Sequence, residues 1–332
     1  MTLNIGINGL GRIGRCVARA IIEEGYEDVR LVAANGAAAN ENHAHLLQYD
    51  SVHGRFQNRI TFGADGIDMG RGTFTVTHER DPAKLDWAAL GVDVVLECTG
   101  AFNSREAAAV HLARGAKRVL ISAPAGDDCP TFVYGVNSNK LLPEHAVFSV
   151  GSCTTNCLAP VAKVLNDTFG IASGFMTTVH AYTGDQNLVD GSHKDLRRAR
   201  AATLSMVPTK TGAAKAIGLV LPELDGKLSG TAIRVPVPNV SLVDLTVVTE
   251  RAVTKEIVNA AFEAAATGAM QGVLKVSRAP LVSIDFMHDN ASAIVDLTGT
   301  TVVGDNLLRI AAWYDNEWGF SCRMLDMARL VA

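Results

Sequence analysis

Leu3 to Asn8 runs without interruption into Gly9-Leu10-Gly11-Arg12-Ile13-Gly14, a G-x-G-x-x-G pattern set between a short apolar strand and a helical pattern from Arg12 to Glu24. Few local patterns limit a fold more. The first glycine permits a tight turn, the second lets a pyrophosphate approach the backbone, and the third lets the helix pack on the strand, while the helix N-terminus offers NH groups to the phosphates. A glycine-rich turn without a ligand is the alternative for the motif alone. The strand–helix context favours a dinucleotide, with Gly9, Gly11, Arg12, Ile13 and Gly14 as its candidate contacts.

The surrounding pattern agrees. Val29 to Ala34, Val92 to Glu97, Val119 to Ser122 and Ala146 to Ser149 read as further buried parallel strands, short, apolar and bounded by turn residues. Helical patterns lie between several of them, one from Ser104 to Arg114 opened by Asn103 or Ser104 as N-cap. This alternation predicts an α/β, doubly wound (Rossmann) dinucleotide-binding domain.

A chain of 332 residues has length for about two domains, and the order of elements changes after Cys153. A helix to about Leu165, a strand from Gly174 to His180, a polar stretch containing HKDLRRAR and a helix from Gly212 to Leu221 come first. Strands from Thr231 to Val235 and Leu242 to Glu250, a helix from Lys255 to Ala266, strands around Val282 to Phe286 and Leu308 to Tyr314, and a helix from Glu317 to Val331 follow. Successive long strands without crossover helices predict an antiparallel-rich α+β catalytic domain. The expected division is 1–152 for the dinucleotide and 153–316 for catalysis, with the terminal helix 317–332 packing back on the first domain.

Composition excludes several functions. With 30 Lys+Arg against 34 Asp+Glu, net charge −4, there is no broad basic field to hold nucleic acid or an anionic membrane. No apolar run reaches the roughly 18 residues of a membrane span, and the first fifteen residues lack a signal-peptide layout, so the expected compartment is the cytoplasm. Six cysteines in so long a chain predict reduced, mostly buried thiols. Cys153 and Cys157 have no second Cys or His pair at ligand spacing, so no metal is expected.

Three positions bear on chemistry. An Asp or Glu is expected about 20 residues after the glycines to bond the ribose 2′-OH, but the second strand ends Ala34-Asn35-Gly36. Glu41, a few residues on, reads as an exposed helix residue. Cys153 sits at the turn into a helix, flanked by Ser152 and Thr154, where helix NH groups are expected to lower a thiol pKa. His180 ends an apolar strand and is either a hydrogen-bonded structural residue or the base that a reactive thiol needs.

The stretches INGLGRIGR, LLQYDSVHGRF, VDVVLECTG, SCTTNCLAP, TTVHAYTGDQ, HKDLRRARAA, TGAAKA, RVPVPNVSLVDL and WYDNEWGF span the whole chain, and together they resemble the phosphorylating glyceraldehyde-3-phosphate dehydrogenases. The resemblance implies NAD and/or NADP as cofactor, glyceraldehyde 3-phosphate and inorganic phosphate as substrates, and a homo-oligomer, a tetramer. It makes Cys153 the nucleophile and His180 its base. It places Thr183, Asp185 and Arg234 at the substrate phosphate, with Asp185 positioning Arg234, and Ser152, Thr154, Thr211 and Gly212 at inorganic phosphate, joined by Arg198. It adds Ser122, Asn316, Arg80 and Ser192 to the cofactor contacts, Asn316 bonding the nicotinamide carboxamide and Ser192 reaching the adenosine end from a neighbouring subunit. Val150-Gly151, Lys210 and Phe320 depart from the usual pattern without removing a catalytic group. Gly36 in place of the family's Asp, and Gly191-Ser192 in place of Leu-Pro, point to use of NADP. Erythrose-4-phosphate dehydrogenase is the competing enzyme, and a catalytically silent nucleotide-binding protein the competing class.

Overall fold

The computed structural model describes residues 2–331. They form two compact units, one of residues 2–134, 140–151 and 321–331, the other of 135–139 and 152–320. No disulfide is formed among the described residues.

The first unit is built on a sheet whose six parallel strands run Val147–Ser149, Arg118–Ile121, Val94–Glu97, Leu3–Asn8, Val29–Asn35, Thr73–Thr77 in spatial order. An antiparallel extension through Gly66–Asp68 and Thr61–Gly63, unforeseen in the sequence, continues one edge. Ile5, Ile7, Val95 and Leu120 are wholly buried, as strands covered on both faces require, and each contributes roughly 1.5–3 kcal/mol on leaving water. Gly6 is a glycine because a Cβ there would stand 3.0 Å from the Trp87 ring and from Val92. The strand order reverses at Leu3–Asn8, between Val29–Asn35 and Val94–Glu97, and in such sheets the crevice at the carboxyl ends of these strands takes the ligand. The helical pattern from Ser104 to Arg114 is two short helices, Arg105–Ala108 and Val110–Ala113, with Ser104 as N-cap.

Beneath that crevice lies a buried polar network. Glu97 Oε2 accepts from Asn8 Nδ2 at 2.6 Å and faces His111 Nε2 at 3.0 Å; Glu97 Oε1 accepts from the Thr99 NH at 2.8 Å and from its hydroxyl. The Trp87 indole NH donates to His111 Nδ1 at 3.0 Å, so the imidazole proton is on Nε2, directed at Glu97, and His111 needs no charge to make both bonds. Asn35 donates to Asn8 Oδ1 at 2.8 Å and ties in the next strand.

In the second unit Cys153–Phe169, Ala213–Val220 and Lys255–Thr267 are the helices of a mixed α+β unit. Its sheet runs Val207–Thr209, Leu228–Val235, Ile171–Ala181, Ser241–Thr249, Leu307–Tyr314, Ala293–Asp296, Leu274–Ser277, antiparallel except for two parallel pairs. One expectation is corrected: Val282 to Phe286 is not a strand. Ser283–Phe286 is a 3-10 turn, closed by the Val282 NH donating to the Asp285 carboxylate at 2.9 Å, and Val282 and Ile284 lie exposed. Leu274–Ser277 and Ala293–Asp296 take the place in the sheet.

Glu97→Leu leaves Asn8, Thr99 and His111 without their acceptor inside the fold. The expected loss of unfolding free energy is roughly 3–5 kcal/mol in urea denaturation. A loss below about 1 kcal/mol, the size of an ordinary surface change, would show that the network is not stabilising the unit.

Candidate active site

The glycine turn sits where the strand Leu3–Asn8 ends. Gly9 has φ 103°, and a Cβ there would lie 2.8 Å from the Thr99 nitrogen. At Gly14 a Cβ would lie 2.0 Å from the Gly9 carbonyl, so only glycine lets the helix Arg12–Glu23 come this close. Gly11 differs: nothing stands within 4 Å of a Cβ there, and the space over the helix N-terminus is open. A cleft of about 660 Å³ extends from Gly9 and Gly11 past Asn35 and Gly36 to Arg80. An open helix N-terminus over a glycine turn, continuous with such a cleft, fits a dinucleotide.

Not every expected cofactor contact faces this cleft. Arg12 is turned to Asp50, at 2.5 and 3.2 Å. Burial alone would raise Asp50, but Arg12 and the NH groups of His53 and Val52 hold it down at about 2. The Arg12 side chain is therefore turned away from the cleft, and Ile13 is half-buried. Ser122 directly follows the strand Arg118–Ile121, its NH donating to the Glu97 carbonyl at 3.0 Å. In the second unit, Asn316 is buried and its Oδ1 accepts from Ser241 at 2.8 Å, which fixes the end of the amide that carries the NH₂. Ser192 is exposed on the loop before residue 200.

In the second unit a thiol and an imidazole meet. Cys153 is the first residue of Cys153–Phe169, and Ser152 is its N-cap, accepting from the Thr155 NH at 3.0 Å. Gly151, at φ 73°, makes the preceding turn, which accounts for a glycine there. Cys153 Sγ is 3.4 Å from His180 Nε2. The other ring nitrogen, Nδ1, lies 2.7 Å from the Ala181 carbonyl. With its proton on Nδ1 and donated to that carbonyl, the ring turns a lone pair toward the thiol; protonated, it has a partner for each NH. Tyr314, wholly buried, packs edge-on to the ring at 5.9 Å. Its hydroxyl hydrogen-bonds the hydroxyls of Thr154 at 2.8 Å and Thr178 at 2.9 Å, tying the helix start to the strand beneath His180.

Arg234 stands beside this pair because Leu228–Val235 pairs in parallel with Ile171–Ala181 in the register His180 opposite Arg234. Its Nη1 donates to the Ala181 carbonyl at 2.9 Å and lies 2.8 Å from His180 Nδ1, while its Nε is buried without a partner. Burial and then the Arg234 charge hold His180 down at about 3. The expected lowering of the thiol is corrected: burial raises Cys153, opposed by Arg234, the Thr154 hydroxyl and the NH groups of Cys153 and Thr154. The thiol and imidazole lie close enough to pass one proton across 3.4 Å.

Two further expectations change. Asp185 does not hold Arg234; it pairs with Arg198 at 2.5 Å, and Arg198 Nε donates to Thr209 at 2.8 Å. Thr154 is buried, and its hydroxyl is engaged by Tyr314 and acts on Cys153, where the expectation placed it toward phosphate. Thr183 is fixed by Gln186, whose Oε1 accepts from its NH at 3.1 Å. The Thr211 hydroxyl accepts from the Ala213 NH at 3.2 Å, and Gly212 caps the helix Ala213–Val220. Sequence reasoning missed Tyr314 and the Ala181 carbonyl. WYDNEWGF marked the stretch, but only the pairing of Ser241 with Tyr314 brings it under His180.

The fold and site define a dinucleotide-binding protein with a cysteine–histidine pair beside a half-buried arginine. Residues 3–105 match the family described as glyceraldehyde 3-phosphate dehydrogenase, NAD binding domain, and residues 152–316 match its C-terminal domain. The chain is 58% identical over 328 residues to the glyceraldehyde-3-phosphate dehydrogenase of Xanthobacter flavus, covering 99% of this chain and 98% of that one. It is 58% identical to that of Cereibacter sphaeroides over the same shares, and 51% identical to that of Geobacillus stearothermophilus over 100% of this chain and 99% of that one. The chain belongs to the glyceraldehyde-3-phosphate dehydrogenase family.

The glycines separate two requirements. Gly14→Ala is expected to lower thermal stability, because the new methyl collides with the Gly9 carbonyl. Gly11→Ala is expected to fold normally and weaken NAD binding at least about tenfold by occupying the pyrophosphate's approach. Isothermal titration with NAD alongside thermal melting distinguishes them; unchanged NAD affinity in Gly11→Ala would contradict this placement.

Proposed function

We propose that this chain catalyses the reversible phosphorylating oxidation of D-glyceraldehyde 3-phosphate to 1,3-bisphosphoglycerate with NAD(P), through a thioester on Cys153. The observation that carries the reading is the 3.4 Å approach of Cys153 Sγ to a His180 ring oriented by the Ala181 carbonyl. Residues 1–152 with the terminal helix 317–332 are assigned the dinucleotide, and 153–316 the chemistry.

Sulfur adds to the aldehyde carbon as the thiol proton passes through His180 Nε2 to the carbonyl oxygen, giving a neutral hemithioacetal. The bound nicotinamide supplies the hydride acceptor for C1. As the hydride leaves, the hemithioacetal hydroxyl proton moves to His180 Nε2 and the carbon–oxygen double bond reforms as a thioester. The Cys153 NH at the helix start is assigned to the developing oxyanion. An oxygen of hydrogenphosphate then attacks the thioester and the carbon–sulfur bond breaks; sulfur takes the phosphate's proton, and the proton on His180 goes to water.

The substrate phosphate is assigned to Arg234 and Thr183, with the unpartnered Arg234 Nε in support. Inorganic phosphate is assigned to Ser152, Thr211, Gly212, Arg198 and the Thr154 NH. A phosphate on Arg234 offsets the charge that depresses His180 and so raises its basicity as substrate arrives. The cofactor set is Gly9, Gly11, Arg12, Ile13, Gly14, Gly36, Arg80, Ser122, Ser192 and Asn316. The absence of a carboxylate at Gly36 removes the repulsion that excludes a 2′-phosphate, so NADP is accepted beside NAD. Erythrose-4-phosphate dehydrogenase is not favoured by the relatives.

A homotetramer is part of this proposal. It is supported by the exposed apolar side chains Leu188, Leu196, Leu204 and Met206 on one loop, 68–84% accessible in the single chain. The cytoplasmic location expected from the sequence is retained; no described helix is long and apolar enough to cross a membrane.

Reduced cofactor should form from glyceraldehyde 3-phosphate only when phosphate is present, with NAD and with NADP. Cys153→Ala should abolish turnover while retaining dinucleotide binding, and His180→Asn should reduce kcat by roughly 100-fold or more. Robust turnover of erythrose 4-phosphate with little of the triose would overturn the substrate assignment.

A further inference from the structure

His43, on the helix Asn40–Gln48, occupies the position from which an acidic side chain at residue 36 would extend. A Cβ at Gly36 would lie 2.4 Å from His43 Nε2 and 2.7 Å from Cε1. With the ring in this rotamer a side chain at residue 36 has no room, so an acid there would require His43 to move. His43 is only 6% exposed, forms part of the wall of the dinucleotide cleft, and neither ring nitrogen completes a well-formed hydrogen bond, although the Gly36 and Ala38 carbonyls lie close enough to act on the ring. A buried imidazole without a well-formed partner gains by turning a nitrogen to a ligand in the cleft.

We propose that His43 is the residue that meets the ribose 2′ substituent of the cofactor, and that it selects for the 2′-phosphate of NADP by donating a hydrogen bond in its protonated form. This rests on the reading of the cleft as the NAD(P) site with Gly36 open to NADP. A modest rotation of the ring away from Gly36 is what brings a nitrogen into the cleft. The charges that face it are Arg15 from the helix Arg12–Glu23 and His78, Glu79 and Arg80 from the segment after Thr73–Thr77. On its own helix, Glu41 and His45 line a different groove.

Without ligand, burial keeps the ring below its ordinary pKa; His78 and Arg15 act in the same direction, and the Gly36 and Ala38 carbonyls pull the other way. A 2′-phosphate dianion reverses the balance, so its binding takes up a proton. The sign follows: between the free and bound pKa of His43, NADP affinity falls as pH rises, by up to about tenfold per unit. NAD, which has no 2′ charge, lacks this dependence.

The test is equilibrium titration of NADP and NAD from pH 6.5 to 8.5. The wild type is expected to show the slope for NADP alone. His43→Leu, and separately His43→Gln, should flatten the slope and lower the ratio of NADP to NAD affinity about tenfold or more. His78→Gln should retain the slope, which assigns the proton to residue 43. Gly36→Asp alone should weaken both cofactors, because the new side chain meets the ring, whereas Gly36→Asp with His43→Leu should bind NAD and reject NADP. If the wild type binds NADP but both His43 variants keep its slope and ratio, this inference fails and the NADP reading stands. If the wild type does not bind NADP, both fail.

Discussion

The chemistry depends on one register. Ile171–Ala181 and Leu228–Val235 run in parallel with His180 opposite Arg234, so a base and a permanent cation share the carbonyl of Ala181. Nδ1 of the ring lies against both that acceptor and the donor Nη1 of Arg234, and the guanidinium charge disfavours a second proton on the ring. A slip of Leu228–Val235 by one residue would send Arg234 to the opposite face of the sheet and leave His180 without its neighbouring cation. Helix Cys153–Phe169 is then held against this sheet by Tyr314, whose buried hydroxyl reaches the helix through Thr154 and the strand through Thr178.

The first unit solves a different problem with similar means. Its glycines remove side chains where backbone must approach backbone, as at Gly14, or where a ligand must approach, as at Gly11. A turn with so few side chains has little packing of its own. The Glu97 network fixes it from below, holding Asn8 just before the turn and Thr99 beside Gly9. Every member is satisfied without a second charge, the arrangement in which a buried polar network rigidifies a fold rather than weakening it.

Much of this was legible in the sequence, for identifiable reasons. The parallel strands were found because strands buried on both faces are continuous apolar runs, and the glycine turn because each of its positions has its own steric role. For Cys153 and His180 the residues alone leave the pair one of two readings, and the resemblance selects it; 27 residues apart, they meet because the helix Cys153–Phe169 turns back into the strand Ile171–Ala181. What could not be read was pairing between side chains. Asp185 was placed on Arg234 and is on Arg198; Thr154 was placed toward phosphate and faces Tyr314. The thiol was expected to be acidified by the helix terminus, a local effect that burial outweighs. Val282 to Phe286 has a strand's composition, but a local Asp285 cap closes it into a turn.

The account stands on covalent attachment of the substrate to Cys153 before phosphate is used. Rapid mixing of enzyme, glyceraldehyde 3-phosphate and NAD without phosphate, followed by acid quench and mass analysis of the peptide containing Cys153, tests this directly. The account predicts a burst of one reduced cofactor per subunit, an acyl group on Cys153, and release of that group as acyl phosphate when phosphate is added. Continuous turnover without phosphate, with no modified Cys153 peptide, would contradict it.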